Sequence, residues 1–277
     1  MERVLRFGPE DDLLGVLTEP DAGTAHTEPL AVFWLNAGVL HHVGPFGWYT
    51  TLARRLAGLG FLSLRFDLSG VGESPARDEI GSTLEGAIRE VSAAMDYLAR
   101  KRQIKRFVLI GLCSGAVLAQ QVAARDERVV GAVLIDGVGY PTMGFYLRHY
   151  APRLFRLGTW LRAARRLVTR RPRVLQLAPL LSESNFFDFP SREQARADLA
   201  GILGRGTRLL FVYTGGVAEQ YFNHRRQFEE SFGRLDPGGE RLEVNYDAAA
   251  DHLYSAHEHR QTLFTRVETW MRRFIKD

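Results

Sequence analysis

The chain holds one cysteine in 277 residues. That excludes an internal disulfide and any metal site built from several thiolates. A lone thiol fits a reducing compartment, and the expected location is cytoplasmic. Long apolar runs are also missing. Stretches such as Leu30–Leu35 fall far short of the roughly 20 residues that span a bilayer. The opening Met1-Glu2-Arg3 lacks the apolar stretch of a secretory signal, so none is expected. Repeats and low-complexity tracts are absent. Acidic side chains are missing from one long stretch. Between Gly137 and Ser182 there is no Asp or Glu, yet Arg148, Arg153, Arg156, Arg162, Arg165, Arg166, Arg170, Arg171 and Arg173 fall there. The whole chain is only +4, so the remainder is net acidic.

What is present is an alternation of short apolar runs with helix-period patterns, the signature of a mostly parallel sheet covered on both faces. Eight strands are expected, over 3–7, 13–18, 30–35, 61–66, 107–110, 129–135, 208–213 and 241–246. Helices are expected over 48–59, 83–100, 115–124, 220–232 and 257–275. The basic stretch interrupts this order after the sixth strand. It is divided by Pro141, Pro152, Pro172 and Pro179 and interleaves Leu154, Leu157, Leu161 and Leu167 with arginines. It reads as an inserted helical cap, 140–196, over the carboxyl ends of the strands, where open α/β sheets place their sites. Residues 1–139 and 197–277 then form the core. Phe145, Tyr146, Tyr150, Phe155 and Trp160 could line a pocket under the cap, or simply pack within it.

The sharpest motif is Gly111-Leu112-Cys113-Ser114-Gly115, directly after the run Arg106–Ile110. A strand that turns abruptly into a helix needs very small residues two before and two after the turning residue. With Cys113 at the turn those positions are Gly111 and Gly115. With Ser114 there, Leu112 would clash. The register makes Cys113 the candidate nucleophile.

A nucleophilic thiol needs a base, and the base an orienting acid. The loop after the last strand, Asp247–Tyr254, contains one histidine, His252. For the acid, two candidates stay open. Glu219 is the first carboxylate after the seventh strand, and Asp136 ends the sixth. Asp251 reads as a cap on the histidine loop, and its adjacency makes it a poor partner for His252. An oxyanion would be met by the Ser114 amide and by Ala37 or Gly38 in the Asn36-Ala37-Gly38 loop after the third strand. Asn36 is included as a substrate-binding candidate. His41 and His42 in that loop either shape the mouth or are solvated. Asp67 reads as a residue that accepts from local amides.

Phe66–Ser74, Gly111–Gly115 and Asp251-His252 together resemble the α/β-hydrolase superfamily, in its serine-aminopeptidase-like branch. Asn36-Ala37-Gly38, His42–Pro45 and Gly111-Leu112-Cys113 are similar to hydrolases associated with bacterial exosortase and exopolysaccharide gene clusters. The resemblance implies an α/β-hydrolase fold with an eight-stranded mostly parallel sheet, a cap, no metal or cofactor, and ester, thioester or amide chemistry. Cysteine in place of serine departs from most of the superfamily and is similar to dienelactone hydrolases. The absent Asp after the seventh strand departs too.

An acyl-Cys113 intermediate would be a thioester, so thioesterase or acyltransferase work on an acyl ester or thioester is the expectation. Two other classes remain. One is a non-hydrolytic cyclase, lyase or epimerase on the same fold. The other is a non-catalytic binding protein that uses the basic cap. The cap's arginines suit an acyl carrier protein, a coenzyme A thioester or an anionic membrane surface. Nucleic acid is not expected, because no recognition fold accompanies the charge.

Overall fold

Strand β3, Leu30–Leu35, is buried at all six positions, as a central strand of a sheet covered on both faces must be. A computed structural model describes residues 1–8, 12–20, 23–24, 29–76, 84–154 and 189–275, with the backbone alone for 152–154. The strands are β1 Glu2–Phe7, β2 Leu13–Thr18, β3, β4 Leu62–Phe66, β5 Arg106–Leu112, β6 Val129–Ile135, β7 Arg208–Thr214 and β8 Leu242–Asp247. They form one open sheet in the order β1-β2-β4-β3-β5-β6-β7-β8. The β1–β2 and β2–β4 pairings are antiparallel, and every other pairing is parallel. This is the expected α/β-hydrolase architecture.

Side-chain alternation divides the core in two. From β3, Val32 and Trp34 face one side, with Leu52 and Leu56 of α1 (Trp48–Gly58) and Leu263 and Trp270 of the last helix. Phe33 and Leu35 face the other side, with Val91 and Leu98 of α2 (Leu84–Arg102) and Val117 and Val122 of α3 (Ser114–Arg125).

Between β6 and β7 lie α4, Met143–Leu154, and α5, Arg192–Gly204. Helix α5 belongs to the sheet's covering layer, since Ala195, Leu199 and Ile202 are buried in the same cluster as α3. Ser191 caps it by accepting from Gln194 N at 3.1 Å. Most of the expected cap, residues 155–188, lies outside the described residues, and with it seven of the nine arginines. Arg148 is described. Its guanidinium meets Glu230 and Asn223 and ties α4 to α6 (Gln227–Phe232). Phe145 is buried, and Tyr146 and Tyr150 are exposed and stacked at 6.4 Å.

The helix expected over 220–232 covers only Gln227–Phe232. Residues 220–226 are turns instead, because Phe222 is drawn inward to stack on Tyr213 and Tyr221 reaches back to the end of β6. The last helix, α7, runs His257–Met271. Among the described residues no helix is long and apolar enough to cross a membrane.

Candidate active site

Cys113 sits between β5 and α3 at φ 57°, ψ −120°, a conformation that non-glycine residues rarely hold. Such strain costs about 1–3 kcal/mol and persists only where the surroundings enforce it. Here Cys113 N donates to Ile135 O at 2.9 Å, and Cys113 O accepts from Ala116 N and Val117 N. The two glycines are required by contact. A Cβ on Gly111 would lie 2.2 Å from the Gly115 carbonyl, and one on Gly115 would lie 2.6 Å from Asn36 O. The thiol is half-buried.

His252 stands in the turn after β8, with Nδ1 2.8 Å from Asp136 Oδ2. The Gly215-Gly216 pair at the end of β7 lets this loop close in. A Cβ on Gly216 would lie 2.3 Å from His252 N, and one on Gly215 2.2 Å from Ala248 O. With Nδ1 facing Asp136, the other ring nitrogen is left for the Cys113 side chain. Burial pulls the imidazole down, but the hydrogen bonds to Asp136 and Cys113 and their charges outweigh it. His252 is pushed up to about 10. The protonated ring is therefore the favoured form at neutral pH.

Asp136 is fully buried at the end of β6, at φ 46°. Its Oδ1 accepts from Thr214 N and its Oδ2 from Thr214 Oγ1, both at 2.7 Å. Tyr221 Oη donates to its carbonyl at 2.8 Å. Of the two candidate acids, the structure brings Asp136 to His252. Glu219 is exposed in the turn beyond β7. Asp251 accepts from Leu253 N and Ser255 N and so caps the histidine loop. Sequence reasoning missed Thr214 and Tyr221. A polar residue closing an apolar strand, as Thr214 closes Arg208–Tyr213, was the available signal.

Ser114 is the first residue of α3, a position whose amide has no intrahelical acceptor and points out of the helix end. Ala37 and Gly38 lie beside it, and Gly38 N donates to Ser114 Oγ at 2.8 Å. Asn36 corrects an expectation. Its side chain is 3% exposed and donates to Leu40 O (2.9 Å) and Asp67 Oδ1 (3.0 Å) while accepting from Leu68 N (2.9 Å). It clamps two loops together, with both of its amide hydrogens and its side-chain oxygen engaged. His41 is exposed, but His42 is buried, with Nδ1 2.7 Å from Asp67 Oδ2. Asp67 also accepts from His42 N and Glu73 N, as a receiver of local amides would. Burial raises Asp67, but hydrogen bonds from His42, Asn36 and Glu73, and the charge of His42, hold it below the usual carboxylate range. Among the described residues no group of three His, Cys, Asp or Glu side chains is arranged to hold a metal ion.

The geometry can align a thiol, an imidazole and a carboxylate at the carboxyl ends of β5, β8 and β6, beside a helix N-terminus. The structural relatives share the fold. An esterase of Pyrococcus furiosus superposes with a TM-score of 0.64 at 16% identity, covering 99% of this chain and 90% of its own. Est1E from Butyrivibrio proteoclasticus gives 0.61 at 11% identity, covering 99% of both chains. A putative dienelactone hydrolase of Klebsiella pneumoniae gives 0.59 at 14% identity, covering 98% of this chain and 97% of its own. No curated protein matches the chain in sequence. The family model described as "Alpha/beta hydrolase family" matches residues 33–265, from β3 into the last helix, and on that span the chain belongs to the alpha/beta hydrolase family.

Proposed function

We propose that the protein is a cysteine hydrolase or acyltransferase that acts on an acyl ester or thioester through an acyl-Cys113 intermediate. The observation that carries this reading is the line Cys113–His252–Asp136, with His252 Nδ1 2.8 Å from the buried Asp136 carboxylate, which favours a proton on the ring. With the Cys113 proton handed to His252, Sγ attacks the acyl carbon as the thiolate and the carbonyl π pair moves onto oxygen. Collapse of the tetrahedral adduct expels an alkoxide or thiolate, which takes the proton from His252. A water or another acceptor then gives its proton to the neutral His252 and attacks the thioester. Sγ leaves as the thiolate, and the imidazolium is restored.

Asp136 holds the ring in orientation and stabilises its charged form. The Ser114 amide, with Ala37 or Gly38, faces the adduct's oxygen. A thioester substrate makes the first step nearly thermoneutral, whereas an oxygen ester must expel a poorer leaving group. The chemistry therefore leans toward thioesters. The narrower likeness to serine-aminopeptidase-like and exosortase-associated hydrolases is part of this proposal. So is an anionic carrier, an acyl carrier protein or a coenzyme A thioester, received by the arginine-rich residues 148–173.

The test is intact mass after incubation with a panel of acyl-N-acetylcysteamine thioesters and p-nitrophenyl esters. Wild type is expected to gain the acyl mass, and Cys113→Ala to gain none. His252→Ala is expected to deacylate more slowly. An adduct that persists in Cys113→Ala, or no adduct and no turnover with any member of the panel, would count against the reading.

A further inference from the structure

The amide of Gly38 is one of the donors expected to face an oxyanion, yet it is already engaged. It donates to Ser114 Oγ at 2.8 Å. Among the described residues that hydroxyl makes no other hydrogen bond, so its own proton remains to be given. Ser114 is 6% exposed, and it is held in place from two sides. Its backbone follows the strained Cys113. Its neighbour Gly115 packs so close to the end of β3 that a Cβ would lie 2.8 Å from Leu35 O. For Gly38 N to meet a substrate directly, the hydroxyl would have to rotate away and leave that amide without its acceptor. A hydroxyl that stays in place can accept from Gly38 N and donate forward, and each bond strengthens the other.

We infer that Ser114 supplies two donors to the developing oxyanion, its amide and its hydroxyl, with the Gly38 amide polarising the hydroxyl from behind. This rests on the acyl-cysteine reading and assigns the Ser114 side chain a catalytic role that the nucleophile motif does not require. No bond to Ser114 forms or breaks; the hydroxyl proton stays on Oγ and is shared with the oxyanion while charge resides there.

The test compares Ser114→Ala and Ser114→Thr with wild type in two assays. One is turnover of the best thioester or p-nitrophenyl ester from the panel. The other is alkylation of Cys113 by iodoacetamide, a displacement at an sp³ carbon that creates no oxyanion. Loss of one oxyanion donor is expected to lower kcat of Ser114→Ala about 100-fold with little change in KM. Alkylation should stay near the wild-type rate, and Ser114→Thr, which keeps the hydroxyl, should recover most of kcat. Wild-type or faster turnover by Ser114→Ala would overturn the inference, since the hydroxyl would then be a bystander or a plug. A parallel loss of turnover and alkylation would overturn it as well, because that marks damage to the Cys113 turn. If wild type itself is neither acylated nor active, the acyl-cysteine reading falls and this inference with it. If wild type is acylated and Ser114→Ala is indifferent, only this inference falls.

Discussion

Replacing Asp136 by Asn exchanges one oxygen for an NH2 group and tests the alignment of the site. Thr214 N has only a hydrogen to offer, so the remaining side-chain oxygen must face it, as Asp136 Oδ1 does now at 2.7 Å. The new NH2 group then takes the position that meets Thr214 Oγ1 and His252 Nδ1. Thr214 can adapt, because a hydroxyl both donates and accepts. The ring can adapt only by presenting a lone pair at Nδ1, which puts its proton on the nitrogen that faces Cys113. That tautomer cannot take a proton from an attacking nucleophile. General acid–base help is worth about 10²–10⁴-fold, and a thiol depends on its base less than a hydroxyl does. The expected loss in kcat/KM is therefore about 10²-fold, or about 2.7 kcal/mol of activation free energy. The pH profile carries the second signature. His252 is pushed up to about 10, so wild-type acylation by an oxygen ester, which needs the imidazolium to protonate the leaving alkoxide, should decline as pH rises through about 10. Without the Asp136 charge, burial pulls the ring back, and the decline should move toward the ordinary histidine value of about 6.5. Single-turnover acylation by an alkyl ester, followed by quenched-flow intact mass from pH 5 to 10.5, measures both. A variant that retains the wild-type rate and profile would refute the assigned role of Asp136.

Stability should follow the same residues. His252 is raised in the folded state, so its contribution is fully present below about pH 6.5 and is lost as pH rises through about 10. Differential scanning fluorimetry should show a steeper alkaline fall in Tm for wild type than for Asp136→Asn, and equal slopes would count against the pairing. Gly115→Ala would force a methyl to 2.6 Å from Asn36 O, a backbone atom that cannot swing aside. A loss of about 1–3 kcal/mol is expected in urea unfolding, and an unchanged midpoint would contradict the packing described. Asp67→Asn should cost a similar amount. Each Asp67 oxygen serves one backbone amide, His42 N at 2.6 Å or Glu73 N at 3.1 Å, so the amide group of the substituted side chain must oppose an N–H on one side or the other. Asp67 is held below the usual carboxylate range, so this contribution is present at neutral pH and fades as pH falls through its folded value. The gap between variant and wild type should therefore narrow in acid; a gap that stays constant would refute it.

The strands were legible because each is a short apolar run bounded by turn residues, and all eight fall within a residue or two of their expected bounds. The Cys113 turn was legible because its steric demand falls on two fixed neighbours in sequence, Gly111 and Gly115. The expected cap, 140–196, takes in only the first turn of α5, and no helix is expected over 197–204, although Ser191-Arg192-Glu193-Gln194 carries the pattern of a capped helix start. Asn36 was misread because a polar residue at a strand end can point outward or inward. What turned it inward is Asp67, 31 residues away, just past the end of the neighbouring strand β4. Sequence spacing carries no trace of that neighbour.

The choice between Asp136 and Glu219 failed to resolve for a related reason. Strands β6 and β7 run parallel and side by side, in register from Gly131 with Arg208 to Ile135 with Val212. Their ends lie about 4.8 Å apart, little more than the reach of a carboxylate side chain. An acid at either end can therefore meet the same histidine if its backbone turns toward it. Asp136 does so at φ 46°, in the left-handed region that Asp tolerates better than most residues. Asp136 N donates to Val212 O on the neighbouring strand at 2.9 Å, and Thr214, where β7 ends, gives Asp136 both of its hydrogens. The carboxylate has in effect crossed to the neighbouring strand, and Thr214, the last residue of β7, steadies it. A motif that fixes the acid to one strand end by counting along the chain cannot see this exchange, because what the histidine requires is a distance between strands.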